Sequence, residues 1–181
     1  NSAAMSLTSN LSLTGNLVLE SNLDLNAKTI TLGTTGNLAE GSGILSGATG
    51  SITTTRNLNN ISALNVAGLG ATLTTTANMG STTFTRTHSE AGGTLPGSIL
   101  RKYNIVPTTN TGLNATLVFN YLDSELNGLS ASSLKLVKST DSGATWTLQG
   151  GTLNTSSRTA TLSGINSFSI WTLANLLVPA L

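Results

Sequence analysis

The chain has 181 residues, of which 38% are hydrophobic and only 8% charged, and its net charge is +1. That balance gives no electrostatic footprint for nucleic acid or for an anionic membrane surface. With no cysteine, disulfides and thiolate metal sites are excluded, and no run approaches the roughly 18 apolar residues of a membrane span.

Abundant Thr, Ser, Asn and Gly in place of charge suits an extracellular protein whose outward faces carry hydroxyl and amide groups. The sequence begins at Asn1 without Met, which reads as a processed mature protein or a fragment of a longer one. No segment keeps apolar residues at helical spacing over three turns, and Thr and Ser stand where a helix would place Ala, Glu or Lys. The fold class expected is all-β.

In chain order, the first feature is a repeat. Within "NLSLTGNLVLESNLDLNAKTITLG", Leu11 and Leu13, Leu17 and Leu19, Leu23 and Leu25, then Ile30 and Leu32 form pairs two apart. Asn10, Asn16 and Asn22 precede the first three pairs, which recur every six residues. A two-apart pair puts both side chains on one face of a very short strand, and Asn tolerates the left-handed backbone of a corner. A repeated strand-plus-corner unit predicts a short β-solenoid, or β-helix, over residues 1–62, with Leu38, Ile44 and Ile52 also inward. A meander of ordinary antiparallel strands is the alternative. End turns of a solenoid expose backbone donors and apolar side chains, and "NSAAMSLTS" carries no charged cap, so an upstream domain, another subunit or an added strand is expected to cover that end.

From residue 63 the rhythm changes. "ATLTTT", "STTFTRTH", "SILRKYNIV", "NATLVFNYL", "SLKLVKST", "TWTLQGG", "RTATLSG" and "SFSIWTL" read as about eight longer strands of an antiparallel β-sandwich over 63–181. Ala115, Leu117, Phe119 and Tyr121 share one face. Arg86, His88 and Glu90 share a face if their strand continues, as a polar cluster or half a metal site; one histidine without cysteines gives zinc little to hold. Asp123 and Glu125 with loop carbonyls could bind a calcium ion, but a solvated turn is the favoured reading. No nucleophile with its base and no phosphate loop is present, so neither catalytic residues nor a cofactor is expected.

"STDSGATW" matches the Asp-box pattern at Ser139, Asp141, Gly143, Thr145 and Trp146. Between two strand segments it reads as a structural hairpin, with Asp bonding nearby amides and Gly supplying positive φ. Sialidase chemistry would need several blades and an arginine cluster that this chain lacks. The last stretch, with Leu176, Leu177, Val178 and Leu181, is apolar and uncharged, and such an extended segment can complete a neighbour's sheet.

Taken together, "GLGATLTTTANMGSTTFTRTH", "ILRKYNIVP", "LNATLVFNYLDSELNGL", "KSTDSGATWTLQGG" and "GINSFSIWTL" resemble a module common near the C-termini of large secreted proteins of Bacteroidota. There it follows β-helix-like or other repeat segments and precedes a sorting signal for type IX secretion. "NLVLESNLDLNAKTITLG" resembles the β-helical part. The resemblance implies a location at the cell surface or outside the cell, and it implies no catalytic residues. Family members continue into a sorting domain, whereas this sequence ends in "ANLLVPAL".

The expected function is therefore a non-enzymatic structural protein, either a self-assembling surface filament subunit or an adhesin stalk. Its partners are further copies or neighbouring domains. The alternative is a glycan-binding module using exposed Trp146, Trp171 or Tyr103. Ice binding through outward threonine pairs requires them to stack in register on one flat sheet, which their irregular spacing in sequence argues against.

Overall fold

The computed structural model describes residues 5–175. Eight short apolar segments open the chain as β1 (Met5–Ser6), β2 (Leu11–Leu13), β3 (Leu17–Leu19), β4 (Leu23–Asp24), β5 (Thr29–Leu32), β6 (Leu38–Glu40), β7 (Leu45–Ser46) and the start of β8 (Ser51–Asn65). Each pairs in parallel with the strand three places along, giving sheets β1–β4–β7, β2–β5–β8 and β3–β6. This is a three-sided β-solenoid. Its rungs stack apolar side chains on their equivalents: Leu11 beside Ile30 beside Ile52, Leu17 beside Leu38, and Leu23 beside Leu45.

Two local expectations are corrected. The inward residue of β7 is Leu45, which is buried, whereas Ile44 is half-buried. The Asn22 side chain accepts the Ile44 amide at 3.1 Å, which sets Leu45 opposite Leu23. Nor do Asn10, Asn16 and Asn22 turn corners through left-handed backbone, since none has positive φ. Their side-chain oxygens instead accept amides of the next rung, from Thr29 at 2.9 Å, Asn37 at 3.0 Å and Ile44 at 3.1 Å. An amide at a corner has no strand partner there, and the side chain supplies one.

The second region comprises β9 (Ala71–Thr87), β10 (Ser98–Pro107), β11 (Ala115–Asn120), β12 (Lys135–Ser139), β13 (Thr147–Gly150), β14 (Thr152–Asn154), β15 (Thr159–Ile165) and β16 (Ile170–Ala174). The segments "ATLTTT" and "STTFTRTH" are one strand, β9, because β8 pairs with it from Ile52–Arg86 to Asn65–Thr72. β8 thus runs through residue 62, parallel to β5 at one end and antiparallel to β9 throughout.

On its other edge β9 is shared. β11 pairs with residues 71–74 and β10 with residues 82–87. Two layers grow from these halves, β10–β16–β12–β13 and β11–β15–β14. The chain steps from the first layer to the second at Gly150 and Gly151, whose φ values of 81° and 93° are strained for any residue with a Cβ. Ala115, Leu117, Phe119 and Tyr121 all face the core, alternating with half-buried neighbours. Tyr103 meets Phe119 edge to face at 4.8 Å between ring centroids, joining the layers. A single apolar core runs from Leu19 in the solenoid to Leu173 in the sandwich.

Candidate functional site

Where solenoid meets sandwich, charge is buried. Arg86 on β9 and Arg101 on β10 are 0% and 2% exposed, and His88 and Glu125 are each 5% exposed. Strand alternation aims Arg86 and His88 inward together, and Arg101 and Tyr103 likewise. Glu40, at the end of β6, reaches across from the solenoid. The Arg86 fork holds it through Nη1 to Oε2 at 2.9 Å and Nη2 to Oε1 at 2.6 Å. Glu125 lies in the short 3-10 turn Asp123–Glu125. Its Oε1 accepts Arg101 Nε at 2.9 Å, and its Oε2 accepts the Leu122 amide at 2.8 Å.

His88 sits between the two pairs. Its Nε2 accepts Arg86 Nε–H at 3.0 Å, and its Nδ1 lies 3.3 Å from Glu125 Oε1. This is the pattern of a neutral imidazole with the proton on Nδ1. Burial, with Arg86 and Arg101 beside it, lowers its pKa, outweighing the attraction of Glu125. Burial alone would raise Glu125, but the His88 hydrogen bond and the guanidinium charges hold it at about 2. Glu40 is lowered in the same way: burial is outweighed by Arg86, the Leu45 amide and Arg101. Tyr103 donates to Leu69 O at 2.7 Å. Two guanidinium groups thus balance two carboxylates, and both His88 nitrogens are engaged, so the network is a clamp between two regions.

The sequence suggested part of this cluster. Arg86 and His88 do share a face, but Glu90 is exposed beyond the end of β9. The acids that complete it, Glu40 and Glu125, lie 46 residues from Arg86 and 24 from Arg101, beyond any local pattern. Asp123 and Glu125 do not share a ligand position: Asp123 pairs with Arg158 while Glu125 turns inward to Arg101. No group of three or more His, Asp or Glu able to hold a metal exists among the described residues.

Beside the clamp, a cleft of about 510 Å³ opens between the third rung and the sandwich. Ile44, Leu45, Ala48 and Leu100 form apolar walls, and Ser124 and Glu90 are among its polar margins.

Residues 139–146 close the β12–β13 hairpin. Asp141 accepts Thr145 N–H at 2.9 Å and Thr145 Oγ1–H at 2.6 Å, and the Ser139 hydroxyl donates to it at 2.8 Å. These bonds, led by that from the Thr145 hydroxyl, hold its carboxyl at about 2. Ser139 Oγ also accepts the Gly143 amide at 2.8 Å, and Trp146 Nε1 donates back to Gly143 O at 3.1 Å. Of the three aromatics offered as exposed platforms, Trp171 and Tyr103 are buried, at 1% and 0% exposure, and Trp146 is half-buried. Trp171 serves the core, Tyr103 the core and the clamp, and Trp146 the hairpin turn. Leu176, Leu177, Val178 and Leu181 lie outside the described residues.

One surface was misjudged from sequence. Thr29 and Thr31 of β5, Ser51, Thr53 and Thr55 of β8, and Thr83 and Thr85 of β9 line one outer face. Thr29 stands beside Ser51, Thr31 beside Thr53, Thr53 beside Thr85 and Thr55 beside Thr83. The Thr53–Thr85 hydroxyls are 3.1 Å apart and the Thr55–Thr83 hydroxyls 3.0 Å. Spacing along the chain hid this order, because Thr53 and Thr85, for example, are 32 residues apart.

Neither a scan against family models nor searches of the curated proteins and of the solved structures return a match.

Proposed function

We propose that this chain is a non-enzymatic extracellular structural module, joined to a second copy or to a neighbouring domain through the open end of its solenoid. The observation that carries this reading is an asymmetry. At one end, β8 is covered by β9, and β6 by the turn Val66–Gly68, where Gly68 lies so close to Leu38 O that no Cβ fits. At the other end, β1, β2 and β3 each pair on one side only among the described residues. Among the described residues five large apolar side chains stand exposed, and two of them, Met5 at 52% and Val18 at 56%, are on that first rung. Unpaired edges with apolar flanks are templates for strand addition. The extracellular reading rests on low charge, hydroxyl-rich faces and the resemblance to secreted Bacteroidota modules.

With the other end covered at β6 and β8, contacts through the first rung join two copies head to head and do not propagate, so a filament needs a second contact. The test is sedimentation and electron microscopy of the chain beside a Met5→Lys, Val18→Lys variant. Lysine guards strand edges, and both positions are exposed, so the variant is expected to fold and stay monomeric while the parent associates. A parent that is monomeric at all concentrations, and binds no neighbouring domain, removes the reading.

The threonine face supports a second reading, that of an ice-binding surface. It is uncharged, lacks aromatics, and sets hydroxyl and methyl groups in a two-dimensional array, about 4.8 Å apart between strands and about 6.7 Å along them. Labelled protein should be taken into slowly growing ice and a Thr53→Lys, Thr85→Lys variant excluded. Equal exclusion of both ends this reading.

A further inference from the structure

We propose that a small polar cleft at the mouth of the sandwich binds the carboxylate of one sugar acid unit, with Lys138 as its counter-ion. The proposal is independent of the solenoid end and of the threonine face.

The cleft measures about 210 Å³ and opens between the two layers. Lys138 of β12, Gln149 of β13 and Trp171 of β16 line one side, Ser163 of β15 lines the other, and Asn166 and Ser167 follow it. Leu136 and Lys138 share the inner face of β12, and Lys138 stands opposite Trp171 in the ladder. Its side chain is half-buried, and no carboxylate among the described residues lies within ion-pair distance of it. Burial lowers its pKa with nothing to oppose it. Two of its three protons go to Ser167 O at 2.7 Å and Ser167 Oγ at 3.0 Å. The Trp171 ring, centred 5.5 Å away, offsets part of the charge but is no counter-ion.

The other groups around the cleft have bonding capacity left. Ser163 Oγ accepts the Thr116 hydroxyl at 2.9 Å and keeps its own proton. Asn166 Oδ1 accepts the Asn114 amide at 3.4 Å, which leaves its Nδ2 to donate. Gln149 gives Nε2 to the Thr147 hydroxyl at 2.9 Å and keeps Oε1 as an acceptor. Trp171 is 1% exposed, and its Nε1–H has no acceptor among the described residues. A buried donor left in that state is rare and calls for an acceptor.

These groups select the ligand. An ammonium with surplus donors around it fits an anion. With no arginine and no helix N-terminus among the lining residues, it matches one negative charge better than a phosphate. A volume below the roughly 300–1,000 Å³ of sites for drug-sized ligands takes a single small unit. Hydroxyl and amide groups beside the ammonium suit a body that itself carries hydroxyls, hence a sugar acid.

Galacturonate is the probe, read by the indole N–H resonances of the two tryptophans. In the millimolar range it should saturably shift that of Trp171 and the amides of Ser163–Ser167. The Trp146 resonance, whose N–H is bonded to Gly143 O, should stay in place. Galactose lacks the charge and acetate the hydroxyls, so each should bind at least about tenfold more weakly. Equal affinity for either one, or no saturable shift with galacturonate, overturns the proposal. Lys138→Gln should abolish binding, but it also disturbs the bonds to Ser167. Asn166→Asp separates charge from folding, because Asn166 is exposed and the acid keeps the acceptor for Asn114. This variant should unfold at the parent's midpoint and, with a negative charge at the cleft, bind galacturonate roughly tenfold more weakly or worse. A folded Asn166→Asp variant that binds as tightly as the parent overturns the proposal. A galacturonate trimer distinguishes the source of the unit: it binds at least as tightly as the monomer if the site serves a polymer, and more weakly if it serves a free acid.

Discussion

The solenoid and the sandwich bury apolar surface by different means. In the solenoid, strands of two to four residues stack leucine on leucine, and each rung depends on side-chain amides to finish its backbone hydrogen bonds. In the sandwich, strands reach 17 residues and are joined by aromatic contacts such as Tyr103–Phe119. The first is built from contacts about 20 residues apart that repeat. The second is built from contacts that occur once. The difference teaches where the molecule is vulnerable: a repeat shares its load among equivalent rungs, whereas the clamp that binds repeat to sandwich has no duplicate.

The largest effect is therefore expected at Glu40, the solenoid's one contribution to the clamp. Glu40→Ala leaves Arg86 and Arg101 buried with half their counter-charge. Removing one partner of a buried pair typically costs roughly 3–5 kcal/mol. Because β8 and the apolar core belong to both regions, denaturant unfolding should remain a single transition at a much lower midpoint. Two separate transitions, with the sandwich unaffected, would break the comparison by making the regions independent.

A second, smaller effect is acid sensitivity. His88 is held neutral below its ordinary 6.5, so the unfolded chain takes up this proton first. Its contribution is complete above about pH 6.5 and declines as pH falls below that, by at most about 1.4 kcal/mol per unit. Glu125, ordinarily 4.5 and held at about 2, adds stability that is present above pH 4.5 and is lost as pH falls towards 2. Denaturant midpoints at pH 8, 5.5 and 3 should thus fall in two stages. A His88→Gln variant, keeping a donor and an acceptor, should lose the first stage only. A parent midpoint flat from pH 8 to 5.5 would show that His88 is not held neutral.

How much of this could be read from sequence follows the same division. Period-two apolar pairs, the first three recurring every six residues, made the solenoid legible, because one local rule repeats from the first rung into the second. The alternation of Ala115, Leu117, Phe119 and Tyr121 was legible for the same reason. What local pattern could not supply was the fusion of two strand segments into β9, since a 17-residue strand exists only because β8 pairs along all of it. Glu40 looked like the end of an ordinary repeat, and Glu125 like a solvated turn, because their partners are distant in sequence. The threonine face failed similarly: its order is perpendicular to the chain. The asparagine corners were located correctly with the wrong mechanism, as a residue type suited to left-handed backbone was used here for its side-chain acceptor.

That last point yields the smallest and sharpest prediction, since one residue type does the same task in both regions. Asn16 accepts the Asn37 amide at 3.0 Å in an exposed corner. Asn110 accepts the Phe168 amide at 2.7 Å and returns a bond to Phe168 O at 3.0 Å, in a part-buried loop that bridges 58 residues. Water can replace the acceptor at the first site, so Asn16→Ala should cost about 0.5 kcal/mol, while at the second a half-buried amide and carbonyl are orphaned together, at roughly 1–3 kcal/mol. Asn16→Asp keeps the acceptor and should stay near the parent. Asn110→Asp keeps only one of two bonds and should not. Hydrogen exchange at Asn37 and Phe168 reads each loss where it occurs. Equal costs at the two sites would mean that the solenoid's corners are no more wetted than the sandwich's loops, and that the ladder of asparagines is a structural element rather than a replaceable trim.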